Sequence, residues 1–370
     1  MMSSGPPVED ASFLGALGAV GSAVLATLAS MEQVSRRMHP QRIDALRGAL
    51  VPLAKQLDEA RVRLANEAAP EGLADLRDQL LRAAEHSAQS VALFVDTTPA
   101  PDAIARVLRG MHEHCRAQDA LFPLRSIPPV NRYFLEPQLH ERLEDFAGEP
   151  SADPEAGLFS ASNSGDQRGG FSLYVPERGD ADRPRALVVA LHGGMGHGAD
   201  FIWTWMREAR SRGFLLLAPT SRETTWSFNG PDVDGPAIRA MVASVKERWN
   251  IDAERVLLTG LSDGATFALL SGLGEDSPFT ALAPLSGVLH PANLSNGNLE
   301  RAEGRRIYLV HGALDWMFPV QVAREAARLL REAGAELVYR EIENLSHAYA
   351  REENAAILEW FDPALALDQE

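Results

Sequence analysis

The sequence contains one cysteine, Cys115, in 370 residues. An internal disulfide framework is therefore excluded, and scarcity of cysteine is typical of proteins in a reducing compartment. Basic residues are also few: 35 Lys and Arg stand against 51 Asp and Glu, which gives a formal net charge of −16 at pH 7. Because a surface of this sign repels phosphate groups and anionic lipids, we expect no nucleic-acid partner.

Charge is absent from one long stretch, Phe13 to Met31, whose 19 residues come close to the length that spans a membrane. A signal peptide places basic residues before its apolar core, whereas this chain has Glu9 and Asp10 there and no Lys or Arg before Arg36. Glycines and alanines make the stretch only weakly hydrophobic. We therefore predict a buried or interface helix and a cytoplasmic protein, with export or membrane contact through residues 13–31 as the open alternative.

Apolar stripes with a spacing of three and four residues follow this stretch, and this spacing is typical of amphipathic helices. They comprise Leu46, Leu50, Leu53 and Leu57; Leu73, Leu76, Leu80 and Leu81; and Val107, Leu108 and Met111. With the uncharged stretch they predict an all-α helical-bundle domain over residues 1–125. Leucines left exposed on these helices would suit a homo-oligomer.

Two histidines in the third stripe, His112 and His114, raise the question of a metal site. Residues two apart on a helix face different directions, so these imidazoles cannot share one ion. We therefore predict no metal site.

From residue 169 apolar strands alternate with helices, which indicates a mostly parallel sheet flanked by helices. The predicted strands are 171–175, 186–191, 214–218, 256–259, 281–285, 307–310 and 337–342, and the predicted helices are 201–210, 238–249, 265–270, 320–333 and 355–361. Residues 126–168 are predicted to be a linker with a first strand at 158–162, and residues 169–370 an α/β domain. The predicted fold class is α/β with an additional N-terminal helical domain.

The segment Gly260-Leu-Ser-Asp-Gly264 separates the strand at 256–259 from the helix at 265–270. So sharp a turn from strand to helix holds its central residue in strained backbone, and small flanking residues keep neighbouring atoms clear of it. The pattern predicts that the Ser262 hydroxyl stands at the carboxyl edge of the sheet, above a helix N-terminus.

Three other predicted strands also end in chemically useful residues. A glycine-rich loop, 192–197, follows the strand at 186–191, Asp315 follows the strand at 307–310, and His347 follows the strand at 337–342. Because the carboxyl ends of parallel strands share one edge, these residues and Ser262 are expected to meet there. A serine hydroxyl needs a histidine that accepts its proton and a carboxylate that orients the histidine. Glycines let backbone N–H groups approach an oxyanion.

These segments resemble the α/β-hydrolase fold, and within it the phospholipase/carboxylesterase branch of serine esterases, over about residues 171–361. The resemblance lies in Leu191-His-Gly-Gly, Thr259-Gly-Leu-Ser-Asp-Gly-Ala, Val310-His-Gly-Ala-Leu-Asp-Trp-Met-Phe-Pro-Val and Ser346-His347. It implies that Ser262 is the nucleophile, His347 the general base and acid, and Asp315 the carboxylate that holds the imidazole. It also implies oxyanion donors in the backbone N–H groups of Gly194 and Asp263, with no metal or organic cofactor. An acidic residue at position 263 departs from the uncharged residue that is usual in the family.

Large apolar residues accompany the same loops. We expect Met195, Trp226, Trp316 and Phe318 to line a pocket for the acyl or alcohol group of a substrate.

His192 and His311, each followed by a glycine at a strand end, are expected to be structural hydrogen-bonding residues.

The leading prediction is a serine hydrolase that cleaves small-molecule or lipid-like carboxylic esters through an acyl-enzyme intermediate. Thioester, phospholipid, aryl-ester and polyester substrates stay open, since all of them can use the same three residues. The alternative is a non-catalytic interaction or scaffold protein whose helical N-terminal domain carries the function. The complete set of Ser262, Asp315 and His347 favours the enzyme.

Overall fold

The computed structural model of the chain describes residues 8–97, 103–146, 155–178 and 183–367. The chain divides into two compact units. The helical unit comprises Met1–Phe134 with Leu143–Ala147, and the sheet unit comprises Leu135–Arg142 with Gly148–Glu370. Part of the predicted linker, residues 147–154, lies outside the described residues. The predicted domain limits at 125 and 168 stay predictions.

The helical unit contains the four long helices that the apolar stripes predicted. Its helices are α1 (Val8–Arg36), α2 (Ile43–Asn66), α3 (Ala74–Val95), α4 (Ala103–Leu121) and the short α5 (Pro128–Tyr133). α1 packs against α2 and α3, and α3 packs against α2 and α4. All four long helices contribute to one hydrophobic cluster, which includes Met31, Leu50, Val91, Phe94 and Val107. The prediction of an N-terminal helical bundle is therefore confirmed.

α1 is the one helix among the described residues that is long and apolar enough, by length and composition, to cross a membrane. One face of it is buried at a helical spacing, through Phe13, Ala16, Val20, Val24, Leu28 and Met31. This buried face agrees with a packed helix, and export or membrane contact through residues 13–31 stays the alternative. The exposed Leu14, Val51 and Val62 lie on α1 and α2, and an oligomer through these helices stays a prediction.

The sheet unit is built on one eight-stranded sheet in the order β1-β2-β4-β3-β5-β6-β7-β8. The strands are β1 (Gly157–Ala161), β2 (Phe171–Val175), β3 (Arg185–Leu191), β4 (Leu215–Pro219), β5 (Ile251–Leu261), β6 (Ala281–Leu285), β7 (Arg306–Gly312) and β8 (Glu336–Ile342). β1 and β2 are antiparallel to their neighbours, and the pairs from β4 through β8 are parallel. Successive residues of β5, including Val256, Leu257 and Leu258, are fully buried on both faces of the sheet, as its uninterrupted apolar run predicted.

The helices of the sheet unit connect these strands. They are α6 (Gly198–Phe201), α7 (Met206–Arg212), α8 (Asp234–Arg248), α9 (Asp263–Gly272), α10 (Ala292–Ser295), α11 (Val320–Glu332) and α12 (Asn354–Phe361). The prediction of one continuous helix over 201–210 is wrong, because a 3-10 turn at Ile202–Thr204 separates α6 from α7. There the Thr204 carbonyl accepts a hydrogen bond from the Asn354 side chain (2.9 Å), and the Thr204 hydroxyl donates to the Phe201 carbonyl (2.7 Å). Side-chain bonds of this kind compete with the helical hydrogen-bond ladder.

Candidate active site

Ser262 lies between β5 and α9, at the carboxyl edge of the sheet. Its φ and ψ, 56° and −117°, lie in a region that residues other than glycine rarely occupy. Two glycines make the turn possible: a Cβ on Gly260 would lie 2.6 Å from the carbonyl carbon of Gly264, and a Cβ on Gly264 would collide with the carbonyl oxygen of Leu191. The glycines two residues before and two residues after Ser262 are therefore required by close backbone contacts.

The structure brings Ser262, His347 and Asp315 together in one chain of hydrogen bonds. His347 Nε2 lies 2.9 Å from Ser262 Oγ, and His347 Nδ1 lies 2.8 Å from Asp315 Oδ2. An ionised carboxylate only accepts hydrogen bonds, so the Asp315 contact assigns the proton to Nδ1 and leaves Nε2 as the acceptor for the serine hydroxyl. The first distance is short enough for a base to remove the proton of a nucleophile, and the second is short enough for a carboxylate to orient that base.

The Asp315 side chain is inaccessible to solvent and is surrounded by donors. Its Oδ1 accepts the backbone N–H groups of Met317 (2.9 Å) and Phe318 (2.8 Å). Burial raises the pKa of Asp315, but hydrogen bonds from His347 and from the Phe318 N–H outweigh it and hold the pKa below the ordinary value. The carboxylate is therefore ionised at neutral pH and can stabilise a positive charge on His347.

The other two histidines at strand ends hold loops in place. His192 Nδ1–H donates to the Gly193 carbonyl (2.7 Å), and His192 Nε2 accepts the Ser221 N–H (3.1 Å). Burial is the main reason that the pKa of His192 falls to about 3. His311 is fully buried and bonds the Phe318 carbonyl through Nε2 (2.8 Å). Both rings have the structural hydrogen bonds that the sequence predicted.

The two predicted oxyanion donors lie next to each other beside Ser262. Gly194 belongs to the loop after β3, and Asp263 is the first residue of α9. A Cβ on Gly194 would lie 2.5 Å from Asp263 Oδ2, so the two residues are in contact. Within the described residues neither backbone N–H has a protein acceptor, whereas the next amide in the loop, that of Met195, bonds the Thr224 carbonyl (2.7 Å). Both N–H groups are thus available for a developing negative charge.

The predicted pocket residues differ in exposure and in recorded contacts, and a pocket lined by Met195, Trp316 and Phe318 stays a prediction. Met195 is 64% exposed and Trp316 is 45% exposed, and they follow strands on opposite sides of β5. The ring of Phe318 contacts the ring of His347 edge-to-face, with 5.3 Å between the centroids. One apolar ring, that of Phe318, therefore borders His347, and Met195 and Trp316 are exposed next in sequence to Gly194 and Asp315.

Trp226 does not have the exposed position that the sequence predicted for it. It is 2% exposed, stacks on Phe267 with centroids 5.5 Å apart, and donates its indole N–H to the His192 carbonyl (2.8 Å). Because its partners lie in the core and under the glycine-rich loop, Trp226 offers no surface to a substrate and is corrected to a supporting residue.

The described residues contain no group of three or more His, Cys, Asp or Glu side chains placed to hold a metal ion.

Sequence reasoning missed the residues that support the glycine-rich loop and Asp263 from a distance. Arg168 donates to the Gly196 carbonyl (3.1 Å) and to Ser221, and Thr225 donates to Asp263 (2.5 Å). No local pattern marks them, because each acts on a residue that is 28 to 53 positions away.

Comparison with known proteins finds a family model that matches part of the sheet unit. Residues 236–363 match the family model described as Phospholipase/Carboxylesterase. The matched range contains Ser262, Asp315 and His347. It supports the resemblance, and it contains three of the four segments that indicated it; the segment at 191–194 lies before the matched range.

Individual relatives are more distant. The acetylxylan esterase of Coprinopsis cinerea is 24% identical over 204 residues, which make up 50% of this chain and 54% of that protein. The chain thus spans about half the length of the curated relative that it matches. A solved thermostable esterase is 23% identical with a TM-score of 0.46, over 55% of this chain and 61% of that one. The acetyl xylan esterase from Aspergillus awamori is 17% identical with a TM-score of 0.44, over 56% and 99%.

Proposed function

We propose that this chain, whose sheet unit belongs to the phospholipase/carboxylesterase branch of the α/β-hydrolases, is a serine hydrolase of carboxylic esters. The proposal is carried by one observation, the unbroken pair of hydrogen bonds from Asp315 through His347 to Ser262 Oγ. The family match and the acetylxylan esterase relative support ester hydrolysis in general.

Acylation begins when Ser262 Oγ attacks the carbonyl carbon of the ester and His347 Nε2 takes the hydroxyl proton. The buried carboxylate of Asp315 stabilises the imidazolium that results. The carbonyl oxygen becomes an oxyanion, which the N–H groups of Gly194 and Asp263 bind, and each such donor contributes about 10²–10³ in rate. The C–O bond to the alcohol then breaks, and the alcohol leaves with the proton from His347.

Deacylation repeats these steps with water. His347 Nε2 removes a proton from a water molecule that attacks the acyl carbonyl, and the same N–H groups bind the second oxyanion. The bond to Ser262 Oγ breaks, the carboxylic acid leaves, and the serine regains its proton from His347. Atoms balance with water as the only co-reactant.

The surface around Ser262 favours an uncharged, at least partly apolar ester. Met195 follows Gly194 in the sequence, and Trp316 and Met317 follow Asp315; all three expose large apolar side chains, with Trp316 and Met317 45% and 46% exposed. Asp263 adds a negative charge beside the proposed oxyanion site, which disfavours an anionic group at the same place. We therefore propose a neutral acyl ester as the substrate class.

The proposal is tested by labelling with a fluorophosphonate probe, which reacts only with an activated serine. The wild-type protein and Ser262→Ala are compared, and the modified peptide is identified by mass spectrometry. We expect labelling of Ser262 in the wild type alone, together with hydrolysis of p-nitrophenyl esters. Ester hydrolysis that survives Ser262→Ala would contradict the proposal, and folded wild type that neither reacts nor hydrolyses would favour the interaction or scaffold alternative.

A further inference from the structure

The loop that follows β4 supports the glycine-rich loop through its backbone and one indole. The Thr224 carbonyl accepts the N–H of Met195 at 2.7 Å. Two residues later, the indole N–H of Trp226 donates to the carbonyl of His192 at 2.8 Å. Both ends of the segment 192–195 are thus bonded to residues 224–226, and the Gly194 peptide lies between these two points.

Thr225, the residue between them, reaches the other half of the site. Its hydroxyl donates to Asp263 Oδ2 at 2.5 Å. A donor to a carboxylate makes a charge-assisted bond, which is about twice as strong as a neutral one. The side chain that follows the nucleophile is therefore fixed by the same loop that fixes the Gly194 peptide.

The carboxylate of Asp263 also touches Gly194 itself. A Cβ on Gly194 would lie 2.5 Å from Asp263 Oδ2 and 3.3 Å from its Cγ, so only glycine leaves room for the carboxylate in its present place. The same oxygen accepts the Thr225 hydroxyl. One atom, Asp263 Oδ2, thus contacts both Thr225 and Gly194, one of the two residues whose N–H groups are the proposed oxyanion donors.

This arrangement gives a physical reason for an acidic residue at position 263. A carboxylate next to a developing oxyanion opposes it by repulsion, so the residue needs a compensating role. Its contacts with Thr225 and Gly194 supply one, because oxyanion donors contribute their full effect only when they are held in position before the reaction.

We propose that Thr225 is a positioning residue for ester hydrolysis: its bond to the Asp263 carboxylate fixes the N–H groups of Gly194 and Asp263 relative to each other. The inference rests on the proposed function and goes beyond it, since it assigns a role to two side chains that do not touch the reacting serine hydroxyl.

The first test compares Thr225→Val with Thr225→Ser in the full chain, with p-nitrophenyl butyrate as substrate. Valine keeps the shape of threonine but has no hydroxyl, so we expect kcat to fall by about 10- to 100-fold, the cost of misplacing reacting groups by about 1 Å, with KM nearly unchanged. Serine keeps the donor and should restore kcat to within about threefold of the wild type. A fall confined to KM, or a Thr225→Ser variant as slow as Thr225→Val, would overturn the proposal.

Thr280→Val is the matched control. Thr280 is also a half-buried threonine of the sheet unit. It directly precedes the first residue of β6, away from the carboxyl edge of the sheet, and its hydroxyl bonds the backbone of Val256 (3.2 Å). We expect kcat to stay at the wild-type value in this variant.

We call the bond between the Thr225 hydroxyl and the Asp263 carboxylate the clamp. A double-mutant cycle tests whether the two side chains act through this bond or affect kcat independently. Asp263→Ala removes the carboxylate but keeps the backbone N–H, so Thr225→Val should add little to it if the two side chains act through one bond. Fully additive losses in kcat would overturn the proposal. If Thr225→Val does not fold, the decision falls to Asp263→Ala against Asp263→Asn, because Asn keeps an acceptor for Thr225. Restored kcat in Asp263→Asn supports the clamp, and equal losses overturn it.

Failure of the clamp and failure of the proposed function give different results. Wild type that hydrolyses the ester and labels at Ser262, with Thr225→Val unchanged, overturns the clamp alone. Folded wild type that is inert towards ester and fluorophosphonate overturns both.

Discussion

Two serines of the sheet unit have nearly the same positive φ. Ser262 follows β5 with φ of 56°, and Ser286 follows the neighbouring β6 with φ of 52°. Each N–H donates to the carbonyl at the end of the next strand, Leu285 for Ser262 and Val310 for Ser286, both at 2.9 Å. A strained serine at a strand end is therefore a recurring product of this sheet edge.

The two hydroxyl groups differ in partner and in access. Ser262 is 8% exposed and its Oγ lies 2.9 Å from His347, whereas Ser286 is fully buried and its Oγ has no hydrogen-bond partner among the described residues. Backbone strain alone thus does not distinguish the proposed nucleophile. A histidine within hydrogen-bond reach and a small exposed surface are what distinguish Ser262 from Ser286.

Removal of each hydroxyl group is the strongest test of this comparison. In Ser262→Ala we expect kcat for ester hydrolysis to fall by about 10⁴- to 10⁶-fold, the cost of losing a catalytic serine. In Ser286→Ala we expect kcat to change by less than about threefold, and the free energy of unfolding to stay the same or to rise by about 1 kcal/mol, because an unpartnered buried hydroxyl is removed. Steady-state kinetics and urea denaturation of both variants measure this. A large kcat loss in Ser286→Ala would show that the second serine takes part in the chemistry.

Asp315→Asn should leave Ser262 without an effective base, as Ser286 is, although the serine itself is unchanged. The amide cannot stabilise the imidazolium and allows the wrong tautomer of His347, so we expect kcat to fall by about 10⁴-fold. Asp362→Asn is the control, because Asp362 pairs with Arg255, which precedes the buried run of β5 at the far edge of the sheet. The pH dependence of kcat and fluorophosphonate labelling rates are measured for both. Asp315→Asn within tenfold of the wild type would remove Asp315 from the catalytic chain.

The sequence predicted which residues meet at the edge of the candidate site because its signals are local. β2 and β6 have the predicted bounds, since each is a short apolar run between polar loops. Ser262, Asp315 and His347 each directly follow a strand or its closing turn, so the parallel order of the strands was enough to place them together. The contact of Gly194 with Asp263 follows from the same two strand ends.

Long-range contacts account for what the sequence did not show. The break at Thr204 depends on Asn354, 150 residues further along the chain. The burial of Trp226 depends on Phe267 and on the His192 carbonyl, and its position in a loop next to aromatic residues indicated a pocket instead. The proposed role of Thr225 depends on a side chain 38 residues away. Periodicity and motif spacing contain no information on such pairs.

The glycine-rich loop beside Ser262 responds to acid through one buried group. It contains His192, whose pKa of about 3 lies below the ordinary value because burial opposes the charge. Below about pH 6.5 the unfolded chain binds a proton that the folded chain does not, so this contribution to stability is complete above pH 6.5 and is lost as the pH falls towards 3, by about 1.4 kcal/mol per pH unit.

Urea denaturation between pH 7 and pH 4 measures this loss. We expect a shallower pH dependence of the free energy of unfolding in His192→Asn, which cannot titrate, and the wild-type slope in Ser286→Ala. Equal slopes in wild type and His192→Asn would mean that His192 is protonated with an ordinary pKa in the folded protein.

The smallest expected effect concerns the opening that Ser262 has and Ser286 lacks. We expect Trp316, which follows Asp315 in the sequence and is 45% exposed, to border it, so its removal should take away apolar contact area worth about 25 cal/mol per Å². We expect Trp316→Ala to shift the ratio of kcat/KM for octanoate over acetate p-nitrophenyl esters by about three- to tenfold, with kcat for the acetate ester nearly unchanged. Trp360→Ala is the control, because Trp360 lies against Arg306 at the start of β7, at the other edge of the sheet, and should leave the ratio intact. The same chain-length profile in all three proteins would remove Trp316 from the substrate pocket and leave Met195 and Phe318 as its apolar border.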